Sequence, residues 1–298
     1  MNKQFENICR MSQKSLKRFL TRKLYETHGK VITGDGFVYA PGKFPVLLVA
    51  HMDTVHKKLP ATIVYNKLTN SVSSPNGIGG DDRCGVYMIL KIIKTYNCSV
   101  LFCEDEEIGG VGAEKFIKSK HSKGLKFNYI IEFDRKGKND AVFYDCDNPD
   151  FEEFITKEFY KTNYGTFSDI SILAPELGCA AVNLSCGYYD AHKATEYVVL
   201  HEMETSIKEA KKILERTGDK DVFEYIEAED YYGGYYGEKW YEIDYIDQNG
   251  NLVMYDTYAI STAEAIGKFC MTHPDIPYGN ISDVFSEADV YSYSGWRY

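Results

Sequence analysis

Five short stretches in the first 200 residues put histidines or carboxylates where an apolar run stops. His51-Met52-Asp53 follows the apolar run 45–50, and Glu104-Asp105-Glu106-Glu107 follows the run 99–103. Asp134 closes the run 129–133, and Tyr188-Tyr189-Asp190-Ala191-His192 follows 179–184. Gly79-Gly80-Asp81-Asp82 precedes a stretch of helical period that starts near Gly85. Imidazole nitrogen and carboxylate oxygen are zinc ligands at roughly 2.0–2.2 Å, and a catalytic zinc keeps one position open for water. Two such ions about 3.5–4 Å apart can share a carboxylate and a water, clamping both sides of a hydrolytic transition state. That chemistry asks for one bridging acid, with a histidine and an acid at each ion. The neighbours Glu106 and Glu107 can divide the labour, one on metal and the other moving a proton. Asp53, two residues beyond His51, is placed to hold the other ring nitrogen of that histidine.

Taken singly, each of these groups has a plainer explanation. A lone His51 would be a satisfied structural histidine, and Glu104–Glu107 a solvated acidic turn. It is the recurrence at strand ends that favours a site, because open α/β sheets bind ligands at the carboxyl ends of their strands. Glu132 competes with Asp134 from the same face one step back, and His201 competes with His192; Asp134 and His192 are preferred. His28, His56, His121 and His273 lack acidic company and are expected at the surface. Gly165-Thr166-Phe167-Ser168-Asp169 can be a helix N-cap. Cys84 and Cys103 flank ligand candidates but sit in apolar runs without a thiolate-lowering base, and are read as packing residues.

The elements that would position these groups alternate between strand and helix. Leu16, Phe19, Leu20 and Leu24 mark an amphipathic helix over 13–27. A hairpin follows, turning at Gly34-Asp35-Gly36. Continuous apolar runs at 45–50, 99–103, 129–133 and 179–184 read as strands buried on both faces, with 141–144 as a further strand. Helical periods fall at 86–93, 113–119, 151–159 and 202–214. The fold class is therefore α/β: a three-layer α/β/α sandwich with a mixed central sheet, plus a small C-terminal α+β module. After Gly218 the pattern changes. Residues 231–237 are Gly and Tyr only, and alternating runs at 241–246 and 252–255 flank Asn249-Gly250, a strong hairpin signal. A helix follows over 261–269. The expected division is 1–217 catalytic domain, 218–240 Gly/Tyr-rich acidic linker, and 241–298 hairpin-plus-helix module.

H-M-D-T-V, G-G-D-D-R-C-G, D-E-E-I-G-G, E-F-D and A-H-K-A-T-E, in this order, resemble the dinuclear-zinc exopeptidase superfamily. That superfamily includes bacterial aminopeptidases, peptidase-T-like tripeptidases and glutamate-releasing carboxypeptidases. The resemblance spans about 45–215 and implies a metal-dependent hydrolase of peptide bonds, an aminopeptidase by preference. It implies two divalent ions, zinc with cobalt or manganese as alternatives. By motif, His51 and Asp134 would bind one ion, and Glu107 and His192 the other. Asp81 would bridge them, Glu106 would be the general base, and Asp53 would support His51. It also implies a cis peptide bond after Asp81. Some members carry an inserted domain, but here 29 residues separate His51 from Asp81 and 57 separate Asp134 from His192. Neither gap holds one.

The composition narrows the alternatives. Net charge is −10, and residues 216–298 hold five Lys+Arg against sixteen Asp+Glu, with 13 of the 25 tyrosines. A tail so acidic argues against nucleic-acid binding, which needs a basic face. No apolar run approaches the roughly 18 residues of a membrane span, and no secretory h-region opens the chain. Eight cysteines without a C-x-x-C pair fit reduced thiols in a cytoplasm. The expected partner is a peptide or small amide, with a homo-oligomer left open. A carboxypeptidase or deacylase is the rival activity, favoured if Arg83 or Arg135 meets a substrate carboxylate. A non-catalytic module with a relic site is the rival of another class.

Overall fold

Side-chain alternation along the buried strands accounts for the layers. The computed structural model describes residues 3–228, 239–259 and 261–286, and the chain divides into two compact units, Met1–Ala228 and Glu229–Tyr298. The first unit contains α1 (Lys3–Cys9), α2 (Gln13–His28), β1 (Ile32–Gly34), β2 (Phe37–Ala40), β3 (Phe44–His51), β4 (Val64–Asn66) and β5 (Ser71–Ser73). It continues through α3 (Gly80–Ile92), β6 (Cys98–Cys103), α4 (Val111–Lys118), β7 (Tyr129–Arg135), β8 (Asp140–Val142) and α5 (Pro149–Thr156). It ends with β9 (Lys161–Thr162), α6 (Asp169–Leu177), β10 (Ala181–Ser185), β11 (Tyr188–Tyr189), β12 (Tyr197–Val199) and α7 (Leu200–Arg216).

The central sheet has eight strands in the order β1-β2-β6-β3-β7-β10-β8-β9. β3 runs parallel to both β6 and β7, and β10 parallel to β7, while β2 and β8 are antiparallel to their neighbours β6 and β10. Val46, Leu48 and Ala50 of β3 join Val100, Phe102, Ile131 and Phe133 under α1, α2, α3 and α7. Leu47, Val49, Leu101 and Ile130 point the other way, into a second cluster with Ala113 and Phe116 of α4 and Leu173 of α6. This period of two puts helices on both faces, the mixed-sheet sandwich expected from the sequence. Each fully buried Leu or Phe contributes about 1.5–3 kcal/mol, which is why the strands tolerate almost no polar residue before their ends. Gly85 shows how close the layers come: a Cβ there would collide with the Phe133 carbonyl of β7, so the first turn of α3 lies directly on the sheet.

Parallel pairing aligns the C-terminal ends of β3, β6, β7 and β10 along one edge. A second sheet, β11-β12-β5-β4, borders that edge. It was not apparent in the sequence, since strands of two or three residues are too short to show a period. Pairing of β12 with β5 ties the segment after β10 to the approach of α3, through Val198 opposite Val72.

The expected linker boundary at 218 moves. Residues 223–228 belong to the first unit: Phe223 N–H donates to the Asn128 carbonyl at 2.8 Å, and Ala180 N–H donates to that of Phe223 at 2.9 Å. The Phe223 ring packs on Tyr129, Phe151 and Phe154 at centroid distances of 6.1, 5.1 and 5.2 Å. Aromatic burial, rather than composition, decides where this unit ends. Residues 229–238, with the Gly/Tyr run, lie outside the described residues.

The second unit holds β13 (Lys239–Ile246), β14 (Leu252–Ala259), α8 (Thr262–Thr272) and β15 (Ile281–Ser286). β13 pairs antiparallel with β14 on one side and β15 on the other, so the expected hairpin plus helix gains a third strand. Tyr241, Ile243 and Tyr245 bury one face against Ala265 and Phe269 of α8.

Candidate metal centre

His51 ends β3 fully buried, and its ring is held from both sides. Nδ1 lies 3.2 Å from Asp53 Oδ1, while Nε2 lies 3.1 Å from Asp81 Oδ1 and 3.5 Å from Asp134 Oδ1. His192 enters from the loop after β11, with Nε2 3.2 Å from Asp81 Oδ2 and 3.0 Å from Glu107 Oε2. Asp81 therefore divides its two oxygens between the two histidines. Two groups of three ligand types result, His51/Asp81/Asp134 and Asp81/Glu107/His192, each with atoms within 4.8 Å of one another. Glu106 Oε2 stands 3.9 Å from His51 Nε2. All seven candidate site residues meet at the strand ends, Asp53 included.

The donor set fits two divalent cations sharing one carboxylate. Glu107 Oε1 is buried without a hydrogen-bond partner among the described residues, an oxygen positioned to take a ligand. The electrostatics demand positive charge at the same place. Burial, reinforced by Asp134, Asp169 and Glu107 and opposed by His51, pushes Glu106 up to about 9. Burial and the Asp81 charge raise Asp134 to about 7. Hydrogen bonds that its ring donates to the Asp81 and Glu107 carboxylates hold the His192 imidazole up at about 10. Burial alone would lower His51, but Asp134, Asp53 and Asp81 outweigh it and keep it well above the usual range. Against the cost of burial, the two histidines hold Asp81 well below the usual carboxylate range.

Asp53 does more than orient His51: its two oxygens accept the backbone N–H groups of Glu106 and Glu107, both at 3.1 Å. Asp82 is turned away from the pair of triads, accepting from the His51 and Gly85 N–H groups at 3.3 and 2.8 Å. The peptide bond between Asp81 and Asp82 is cis. Glu132 lies fully buried one step below Asp134, and Ser168 Oγ lies within hydrogen-bond distance of both, at 2.6 and 3.1 Å. Ser168 also precedes the first turn of α6, so the Gly165–Asp169 stretch both caps a helix and borders the site. Tyr188 hydroxyl donates to Asp134 Oδ1 at 3.3 Å.

One expectation changes. His56 is not a surface residue: its Nε2 lies 2.6 Å from Glu196 Oε2. Glu196, fully buried, also accepts from Gly79 N–H at 2.7 Å and from Asp81 N–H at 3.0 Å. The sequence shows Glu196 only as the last letter of A-H-K-A-T-E. Arg83 is buried at 1% exposure, next to Asp82 but inside the core, whereas Arg135 faces the cavity. Cys84 and Cys103 are buried free thiols, pushed well up by burial, as packing residues should be.

Residues 39–171 match the model of Peptidase family M28, a span that includes every candidate ligand except His192. Over that stretch, less than half of the chain, the sequence is similar to this peptidase family, in keeping with the superfamily that its motifs resemble. Solved structures share its fold at low identity. The aminopeptidase PepT of Bacillus cereus superposes with a TM-score of 0.59 at 13% identity, covering 71% of this chain and 96% of that one. An aminopeptidase of the archaeon Desulfurococcus kamchatkensis gives 0.57 at 15%, covering 74% and 96%. A tripeptidase of Staphylococcus aureus gives 0.57 at 11%, covering 71% and 97%. No curated protein matches the sequence significantly.

Proposed function

We propose that this protein is a zinc-dependent aminopeptidase-type exopeptidase, with Glu106 as its general base. The observation that carries the reading is the division of Asp81 between His51 and His192, at 3.1 and 3.2 Å. His51 and Asp134 would hold one cation and Glu107 and His192 the other, with Asp81 bridging. Two divalent ions there would supply Lewis-acid polarisation of the scissile carbonyl and a water acidic enough to ionise near neutrality.

The chain's own residues account for the rest. Glu106 takes the proton of the attacking water at its carboxylate and returns it to the departing amine. Its raised pKa in the bare cluster follows from burial among like charges, so positive charge beside it restores the basic form. Asp53 fixes the His51 ring through Nδ1 and, through the Glu106 and Glu107 N–H groups, fixes where base and ligand sit relative to each other. Tyr188 and Ser168 hydroxyls flank the two carboxylate oxygens of Asp134, at 3.3 and 3.1 Å, and limit its rotamer. A series of aminoacyl fluorogenic substrates with added zinc, cobalt or manganese tests the proposal. Metal-dependent release from free-amine substrates is expected; absence of release with both ions bound refutes it.

A further inference from the structure

The turn that carries Glu106 and Glu107 leaves the sheet at the end of β6 and is held from two directions. Asp53 holds it on the side of the metal centre, through the two peptide N–H groups. On the other side stands α2. Gln13 and Lys17, four residues apart and so on one face of that helix, both reach the turn. Lys17 Nζ lies 2.5 Å from Glu104 Oε2 and donates to the Gly34 carbonyl of β1 at 2.9 Å. Gln13 Nε2 donates to Asp105 Oδ1 at 3.0 Å. Leu16, Leu20 and Leu24, all fully buried, fix the helix itself on the core. Glu106 and Glu107 line the cavity over the site, whereas Gln13 and Lys17 stand outside it.

The backbone of the turn gives this outer contact its weight. Asp105 stands at φ 62° and ψ 40°, the left-handed region that a residue with a Cβ enters only at a cost. Backbone bonds pin both flanks: Glu104 N–H donates to the Gly36 carbonyl at 2.8 Å, and Val111 N–H to the Asp105 carbonyl at 3.1 Å. Among the described residues, the side chains of Glu104 and Asp105 take their hydrogen bonds from α2. Charge acts in the same direction. Lys17 offsets Glu104, each side chain being 17% exposed, so the acid two residues before Glu106 adds little to the repulsion at the site. A base works only within hydrogen-bond reach of the proton it takes, so the tilt of this turn bears directly on rate.

We propose that Gln13 and Lys17 are positioning residues for this reaction: gripping Glu104 and Asp105 from outside, they set where the Glu106 carboxylate stands beside the two metal triads. This rests on the reading of Glu106 as general base, and the experiment keeps the two apart. A free-amine aminoacyl substrate is assayed with metal-loaded wild type, Lys17→Met, Gln13→Ala and Glu104→Gln, and with each substitution added to Glu106→Gln. Lys17→Met and Gln13→Ala should each lower kcat by about tenfold, with KM within about twofold and two ions still bound, since a misplacement of about 1 Å can cost about 10²-fold. Lys17→Met combined with Glu104→Gln should lose no more than the worse of the two alone, as expected of one shared contact. Lys17→Arg, which keeps the donor and the charge, should hold kcat within about threefold of wild type. In the Glu106→Gln background, where no base is left to place, neither Lys17→Met nor Gln13→Ala should lower kcat further. Unchanged kcat in both single variants, a loss that multiplies in full with that of Glu106→Gln, or loss of metal ahead of rate overturns the proposal. Glu106→Gln turning over at the wild-type rate removes the base reading and the positioning role together. If Glu106→Gln is crippled while Lys17→Met and Gln13→Ala are not, the positioning role alone falls.

Discussion

Replacing Glu196 by glutamine perturbs the site without replacing a candidate ligand. The carboxylate is fully buried and accepts three hydrogen bonds, from Gly79 N–H, Asp81 N–H and His56 Nε2, at 2.7, 3.0 and 2.6 Å. Glutamine presents one oxygen and one NH2 group, so one of the two peptide N–H groups must face a donor. A hydrogen bond to a charged acceptor contributes about 1.5–3 kcal/mol, and an unpaired buried donor costs about 1–3 kcal/mol. After the remaining neutral bond is allowed for, Glu196→Gln should lose about 2–4 kcal/mol of folding stability. Because Asp81 serves both triads, a shift of its backbone displaces both at once. Supporting residues around metal ligands typically change affinity by about 10–100-fold, and that is the loss expected here. Chelator-competition titration reads the affinity, and urea unfolding of the metal-stripped protein reads the stability. His56→Ala is the control: it removes one donor but leaves both peptide N–H groups paired, so affinity should fall by less than about threefold. Should Glu196→Gln keep stability within about 0.5 kcal/mol and metal affinity within twofold of the parent, the reasoning fails.

Glu106→Gln should keep two bound metal ions while kcat falls by about 10²–10⁴. Glu107→Gln should instead lose metal first, and metal analysis beside kinetics would expose swapped roles. Metal-stripped protein should lose stability as pH rises from about 5 to about 10. The folded-state pKa values of Asp134, Glu106 and His192 are all raised, to about 7, 9 and 10. Each therefore contributes stability fully present below its unfolded pKa and lost as pH climbs through its folded one. A thermal midpoint that rises over that window would contradict the cluster electrostatics. Phe223→Ala should destabilise the first unit by about 2–4 kcal/mol, somewhat under the usual cost for a fully buried Phe because this ring is only partly buried. Denaturant unfolding that shows no loss would put residue 223 back in the linker.

What was legible and what was not divides along a physical line. Ligands to a hard or borderline cation come from very few residue types, and a parallel sheet delivers them at a marked place, directly after an apolar run. The candidates His51, Glu107 and Asp134 stand out on those grounds, and the buried strands announced the sandwich through composition alone. The residues that hold the ligands obey no such restriction. Any carboxylate can accept a backbone N–H, so Glu196 carried no mark, although it reaches 115 residues back along the chain to Asp81. His56 was misjudged for the same reason: its acidic partner lies 140 residues away. Pairing of β12 with β5 brings both partners within reach, and strands of three residues carry no period from which that pairing could be read. The outer boundary was obscured differently, because charge and tyrosine content change near 216 while the packing of Phe223 continues past it. A ligand is chosen by what it must bind, its support by what happens to lie beside it. Only the first choice leaves a type-specific trace in one sequence.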